Sequence, residues 1–256
     1  MDDRKSNSTL IAIGSLTVLI AFMDISGLPG ALFVDVHFAD IEPVYFALLI
    51  NFVIICILAF AALRVFAPGW RLGLTSKGFG SGIRRFGAPA LIAGIASCAA
   101  FIVGIPLDGT PTIWKIAVEG IVYYAGVAFV EELYVRGLFL NLVEDLAYKS
   151  PHRVNIAIAV SAVVFGLGHI PGVIGQGALV VAFKVVSTIG MGLFLGVAYK
   201  KSGNLWVAIA LHWFIDVCAL PYCFTTFSGY ATVSLVFLLV IYIALGAYSI
   251  VVMSRK

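Results

Sequence analysis

Three short stretches of the sequence place acidic, basic and imidazole side chains at helical spacing inside long apolar runs. In the first stretch, Glu131 and Glu132 are followed by Arg136. On a helix, Glu132 and Arg136 lie on one face, where a carboxylate and a guanidinium can meet, whereas Glu131 points about 100° away. We therefore expect Arg136 to neutralise Glu132 and Glu131 to remain free to take up a proton.

The other two stretches carry histidines. Phe165 and His169 are four residues apart, and so are His212 and Asp216, whose carboxylate can orient the imidazole or join it at a metal or a water. An ionisable side chain inside a membrane costs about 2.5–3.5 kcal/mol on insertion scales and therefore indicates a functional site. The occurrence of all three groups favours a catalytic or metal site over simple packing.

The apolar runs around these stretches determine the fold class. The 256 residues are 62% hydrophobic and 11% charged with a mean hydropathy of +1.09, which excludes a water-soluble globule. A bilayer core of about 30 Å needs roughly 20 apolar residues per helix. Eight such runs are present: Leu10 to Ile25, Val44 to Phe66, Ala88 to Ile105, Ile116 to Leu138, Ile156 to Ile174, Ala178 to Tyr199, Leu205 to Cys223 and Ala231 to Val252. We predict an all-α polytopic membrane protein, a bundle of eight transmembrane helices around a buried polar active site. It forms a single domain over residues 1–256 with a motif core at 116–216, and its first run is a retained span, not a cleaved signal peptide.

The basic residues predict the orientation, because Lys and Arg concentrate on the cytoplasmic side. Fourteen of the 16 fall on one side: Arg4, Lys5, Arg64, Arg71, Lys77, Arg84, Arg85, Arg136, Lys149, Arg153, Lys200, Lys201, Arg255 and Lys256. We expect both termini to be cytoplasmic and the protein to reside in a bacterial or archaeal cytoplasmic membrane. The net charge of +3 is too small and too dispersed for a nucleic-acid surface.

Three further charges fall within the runs. Asp24 is interpreted as an interfacial group, and Glu119 as the ion-pair partner of Lys115, four residues before it. Lys184 has no obvious partner, so it either neutralises a carboxylate of the central cluster or extends towards the membrane surface.

If every span were a straight helix, the candidate residues would lie at different depths in the membrane. At about 1.5 Å per residue, Glu131 and His212 fall in the middle to cytoplasmic half and His169 nearer the outer side. A fourth helix that continues to about Leu146, or a fifth span broken by Gly166 and Gly168, would reconcile them.

The three motifs, in this order, resemble those of the CPBP family of intramembrane proteases, which includes CAAX-processing endopeptidases and Abi-like relatives tied to bacteriocin immunity. The matching residues are Glu131, Glu132, Arg136, Gly137 and Phe139, then Phe165 and His169, then His212 and Asp216. Asp216 stands where many members carry Asn. The resemblance implies a hydrolase with Glu132 and Arg136 holding their helix turn in register.

The resemblance also implies the roles of the remaining site residues. Glu131 is the general base that activates a water, and His169 and His212 position that water and stabilise the oxyanion. Asp216 orients His212 or shares the water, and Phe165 contacts the substrate. The substrate is a membrane-anchored peptide or protein, prenylated (CAAX-type) or otherwise lipid-associated.

Alternatives to this mechanism and function stay open. The family is classed as metalloprotease, and one divalent metal ion such as zinc would have His169, His212 and Asp216 as ligands. We favour water activated by Glu131, because the spacing does not require a metal. A non-catalytic scaffold or bacteriocin immunity protein and a proton-coupled transporter are the rival functions, and the oligomeric state is left open.

Overall fold

The computed structural model describes residues 6–32 and 35–255, which form helices joined by short loops. The eight main helices are α1 (Asn7–Ser26), α2 (Pro43–Phe66), α3 (Phe79–Gly104), α4 (Ile113–Leu146), α5 (Arg153–Gly168), α6 (Ala178–Ser202), α7 (Leu205–Val217) and α8 (Thr232–Ser254). A single-turn helix follows α1 and a short 3-10 helix follows α7. Because the described residues contain no strand, the predicted all-α class is confirmed. Arg4, Lys5 and Lys256, which entered the charge argument, lie outside the described residues.

The structure does not confirm the predicted count of eight spans. Within the described ranges, seven helices are long and apolar enough to cross a membrane, where α7 is counted together with the following 3-10 helix as Leu205–Phe224. In contrast, α5 has only 16 residues. The predicted fifth span, Ile156 to Ile174, therefore ends early, at Gly168. Gly166, Gly168, Pro171 and Gly172 place residues of poor helix propensity in this region, and a stretch of turns follows up to Gly177, just before α6.

α4 is longer and less regular than the run Ile116 to Leu138 predicted from the sequence. It continues to Leu146, eight residues past the expected end, and includes two π-helical segments, Ile116–Val122 and Glu132–Leu140. Both departures that would reconcile the depths of the candidate residues are thus present, the extended fourth helix and the shortened fifth.

The start of α7 is anchored to the loop before α3. Asn204 caps α7 by accepting a hydrogen bond from the Trp206 backbone N–H at 2.9 Å. Its amide nitrogen donates to the carbonyls of Thr75 and Lys77, at 2.8 Å each. The helix that carries His212 and Asp216 is therefore fixed at its beginning by buried hydrogen bonds.

The loops at the opposite end of the bundle are also tied to one another. Asp108 accepts hydrogen bonds from the backbone N–H and the hydroxyl of Thr226, both at 2.8 Å, and these bonds hold the pKa of the Asp108 carboxyl below its usual value. Glu119 accepts from the Glu42 backbone N–H at 2.8 Å and lies 3.2 Å from the Lys115 ammonium. The ion pair predicted for Lys115 and Glu119 is confirmed.

α6 is the central helix, and a glycine lets α8 approach it closely. α6 packs most extensively on α8 and α5. A Cβ atom at Gly190 would lie 2.1 Å from the carbonyl oxygen of Tyr242 in α8, so only glycine fits this position without movement of a helix.

We predict that Gly190→Ala destabilises the bundle by about 1–3 kcal/mol, the usual cost of overpacking, because α6 and α8 must separate. Thermal unfolding of the purified protein in detergent measures the effect. Gly80→Ala is the matched control, because no atom lies within 4 Å of a Cβ at that helical position. Equal melting temperatures for the two variants would contradict the proposed close contact.

Candidate active site

A buried ion pair on α4 forms the base of the candidate site. Arg136 Nη1 lies 3.0 Å from Glu132 Oε1, and neither side chain is exposed. Arg136 Nη2 donates to the Gly192 carbonyl of α6 at 3.3 Å, and the guanidinium carbon lies 4.3 Å from the Phe165 ring centroid. The predicted pairing of Glu132 with Arg136 is confirmed, and it also joins α4 to α5 and α6.

His212 of α7 lies between carboxylates of two helices. Its Nδ1 is 2.8 Å from Glu132 Oε1, whereas its Nε2 is 3.1 Å from Asp216 Oδ2 and 3.7 Å from Glu131 Oε2. Because ionised carboxylates only accept hydrogen bonds, this arrangement favours a ring protonated on both nitrogens. A buried imidazolium would balance part of the negative charge of the three carboxylates.

The neighbouring carboxylates Glu131 and Glu132 are both directed towards His212, although the sequence predicts that they point apart. They reach opposite nitrogens of the same ring. Glu131 is the last residue of a regular segment of α4 and Glu132 the first of a π-helical segment. π-Helical turns recur at functional sites, because the wider turn redirects side chains.

His169 follows the last residue of α5. Its Nδ1 lies 2.8 Å from the Phe165 carbonyl oxygen, which would otherwise be an unpaired acceptor in the final turn of the helix. A carbonyl only accepts, so Nδ1 carries the proton and Nε2 of the neutral ring is an acceptor. The Phe165 ring contacts both imidazoles edge-on, with centroids 4.8 Å from His169 and 5.9 Å from His212.

Two cavities adjoin the cluster. The first, of about 500 Å³, is lined by Glu131, His169 and Asp24, and the second, of about 420 Å³, by Asp216. Lys184 lines both. All of the predicted site residues are therefore close together: Glu131, Glu132, Arg136, Phe165, His169, His212 and Asp216.

Sequence reasoning missed the position of Asp24. It lines the first cavity with Glu131 and accepts a hydrogen bond from the Tyr134 hydroxyl at 3.0 Å. Asp24 lies within three residues of the end of α1, which explains why it resembles an interfacial group in the sequence. Only the packing of α1 on α4 brings it beside the cluster.

His169, His212 and Asp216, the expected ligands if a metal is bound, do not form a metal site in this structure. Among the residues that the structure describes, no three His, Cys, Asp or Glu side chains are arranged to hold an ion. Both ring nitrogens of His212 face carboxylates, and the Nδ1 of His169 faces a carbonyl. The set His169, His212 and Asp216 therefore does not fit a zinc ion, and no step below depends on one.

We predict that Arg136→Met and Glu132→Gln each destabilise the protein by about 3–5 kcal/mol, because each leaves a buried charge without its partner. The double variant is expected to lose less than the sum of the two. Thermal unfolding in detergent measures this coupling, with the exposed carboxylate variant Asp35→Asn as a control that leaves the melting temperature unchanged. Additive losses in the double variant would contradict a mutually dependent pair.

A protein-family model matches part of the chain. The family model described as Type II CAAX prenyl endopeptidase Rce1-like matches residues 113–218, which run from the start of α4 to just beyond α7. No curated protein and no solved structure was found to match the chain. The matched stretch contains the residues from Glu131 to Asp216 described above and implies a protease. The resemblance to CPBP intramembrane proteases is confirmed for residues 113–218, less than half of the chain, which are similar to the Rce1-like type II CAAX prenyl endopeptidases.

Proposed function

We propose that the chain is an intramembrane endopeptidase in which a water activated by Glu131 cleaves a peptide bond of a membrane-anchored substrate. The observation that carries this proposal is the buried Glu131 Oε2, which has no hydrogen-bond partner and lies beside the cavity that His169 also lines. A buried carboxylate oxygen without a partner is costly unless it serves a function. A water in this cavity would satisfy it.

The first step is addition of water to the peptide carbonyl. Glu131 and the Nε2 of His169 are both acceptors, so together they hold and orient a water. Glu131 takes one proton while the water oxygen bonds to the carbonyl carbon, which yields a tetrahedral oxyanion. In this scheme the Nε2–H of His212, which contacts Asp216 in the resting site, is shared with that oxyanion and stabilises it, while Asp216 orients the ring.

The second step is collapse of the tetrahedral species. The carbon–nitrogen bond breaks, and Glu131 returns its proton to the leaving amine, so that the site ends in its starting state. Glu132 and Arg136 do not touch the reacting atoms in this scheme. They hold His212 in place through the 2.8 Å contact to Nδ1.

The lining of the first cavity supports a substrate held in the membrane. Apolar side chains of α1, α2 and α5 form part of its wall, including Ile25, Leu48, Phe52 and Leu167. Ile25 and Leu167 are also about half exposed on the outer surface of the bundle. A peptide carrying a prenyl or other lipid anchor fits such a site, because its apolar part can remain among lipids while its backbone reaches Glu131.

The cavities lie towards the face opposite the basic residues. Asp24, His169 and Asp216 are all within three residues of the end of α1, α5 and α7 at that face. Described basic residues are concentrated at the other face: Arg64, Arg71, Lys77, Arg84, Arg85, Lys149, Arg153, Lys200, Lys201 and Arg255. With the termini in the cytoplasm, the substrate is presented from the non-cytoplasmic half of the membrane.

We predict that Glu131→Gln lowers proteolysis by at least about 100-fold, because the amide cannot accept the proton of water. Terminus-resolved proteomics of host membranes at matched expression measures the loss of new peptide ends. Glu42→Gln, whose side chain is 66% exposed, is the matched control and keeps wild-type products.

Identical peptide ends in wild-type and Glu131→Gln membranes would contradict the proteolytic function. A phenotype that then persists in the variant would favour the scaffold or immunity function. Substrate-dependent proton flux in liposomes would favour the transporter.

We also predict that Ser228→Cys reacts with a membrane-impermeant maleimide in intact cells, whereas Ser254→Cys reacts only after permeabilisation. Both positions are exposed, at opposite ends of the bundle. The four native cysteines, Cys56, Cys98, Cys218 and Cys223, are first replaced by alanine. The reverse labelling pattern would place the cavities on the cytoplasmic side.

A further inference from the structure

A third cavity, of about 670 Å³, lies between α4 and α7 on the outer surface of the bundle. Its apolar walls come from these two helices and from the start of α3: Phe79, Phe129, Trp206, Ile209, Ala210 and Trp213. Phe79, Trp206 and Trp213 are 37%, 38% and 39% exposed, so the cavity is a groove that is open to the membrane. This α4/α7 groove shares no lining residue with the two cavities beside the cluster.

Only one end of the α4/α7 groove is polar. Thr75 and Ser76, in the loop before α3, supply exposed hydroxyl groups there. Towards the other end, Trp213 bridges the two walls, because its indole N–H donates to the Ile121 carbonyl of α4 at 3.1 Å. Trp206 and Trp213 are seven residues apart, which is about 10 Å of helix, whereas one leaflet of the hydrocarbon core is about 15 Å thick. The groove therefore extends over most of one leaflet and not across the bilayer.

The loop at the polar end is held in place by the beginning of α7. The Leu205 backbone N–H donates to the Leu72 carbonyl at 2.9 Å. The Asn204 amide binds the carbonyls of Thr75 and Lys77, as described above. Because these two carbonyls are turned towards α7, the side chains of Thr75 and Lys77 remain exposed. The hydroxyl groups and the ammonium at this end are thus presented by an ordered backbone.

The protein surface around the polar end is positively charged. From residue 43 to residue 107 the chain has no Asp or Glu but five basic residues, all of them exposed: Arg64, Arg71, Lys77, Arg84 and Arg85. Within the described part of the chain none of the five forms an ion pair, and the pairs at this face join Lys200 and Arg153 to Glu144 instead. Basic residues at a membrane surface attract anionic lipid headgroups.

We propose that the α4/α7 groove binds an anionic phospholipid from the leaflet at the face where the basic residues are concentrated. One acyl chain lies along Trp206 and Trp213, and the phosphate contacts the hydroxyl of Ser76 and the ammonium of Lys77. A phospholipid has the same order of apolar and anionic parts as the groove and its surroundings. A transmembrane helix of a partner protein fits less well, because Trp213 interrupts the groove within one leaflet.

The bound lipid is expected to stabilise the position of α7. Its acyl chain packs on Trp213, the neighbour of His212, and its headgroup contacts the loop whose carbonyls bind Asn204 at the start of the same helix. This inference goes beyond the proposed proteolysis and does not depend on it, since the groove and the cluster have no lining residue in common.

The test measures quenching of tryptophan fluorescence by lipids brominated in the middle of the acyl chain. The purified full chain is reconstituted in phosphatidylcholine vesicles, and of its four tryptophans Trp70 and Trp114 are first replaced by phenylalanine, so that only Trp206 and Trp213 emit. Brominated phosphatidylglycerol and brominated phosphatidylcholine with the same chains are compared over a range of mole fractions. We expect phosphatidylglycerol to bind at least about 5-fold more tightly, the factor that corresponds to one basic residue at an anionic headgroup.

Two kinds of variant separate the headgroup contact from the acyl-chain contact. Lys77→Gln is expected to lower the relative affinity for phosphatidylglycerol by about 5-fold. Lys149→Gln, which changes an exposed lysine in the loop after α4, is the matched control and keeps the wild-type preference. Ala210→Leu and Ala125→Leu each fill part of the groove and are expected to reduce quenching by both lipids. The melting temperature of each variant shows that it is folded.

Each part of the proposal can be contradicted separately. Equal binding of the two brominated lipids, or an equal loss of preference in Lys77→Gln and Lys149→Gln, would overturn the headgroup site, the latter result indicating diffuse attraction to the basic face. Unchanged quenching in both Ala210→Leu and Ala125→Leu would overturn the placement of the acyl chain. Quenching by neither lipid would show that lipid does not enter the groove and would favour a protein partner.

Discussion

The contact of Arg136 with Glu132 is the interaction on which the rest of the site depends. A guanidinium and a carboxylate without solvent exposure are tolerated only as a pair, and here each partner also contacts a neighbouring helix. Glu132 holds the Nδ1 of His212 through the same oxygen that Arg136 contacts. Arg136 in turn donates to the backbone of α6 and faces the ring of Phe165. One charged contact therefore links four helices, α4 to α7.

The local irregularities of the helices are as important as their packing. The π-helical turn at Glu132 lets two adjacent acids reach one imidazole, and the early end of α5 leaves a carbonyl that fixes the ring of His169. A bundle of regular, full-length helices would separate these groups in depth. The site residues come together because α4 is longer, and α5 shorter, than a regular membrane span.

Composition and spacing were sufficient to predict the helical class, most helix positions and the members of the cluster. Spacing of four residues predicts a contact well when both partners share a helix, as for Glu132 with Arg136 and His212 with Asp216. It could not predict that Glu131 turns towards His212, because the π-helical turn changes the angular period of the side chains. It also could not place Asp24, whose role in the cavity wall arises from contacts between helices distant in sequence. The length of α5 was overestimated because apolar residues continue through its terminal glycines.

The short fifth helix has a consequence for how water reaches a reaction inside a bilayer. Sixteen residues rise by only about 24 Å, less than a hydrocarbon core of about 30 Å. This mismatch is accommodated when lipids beside α5 thin locally and their headgroups move inward. His169, at the end of that helix, would then lie near the level of the displaced headgroups. Under the proposed function, hydrolysis at this site would draw its water through a dimple in the membrane surface, without a pore through the protein.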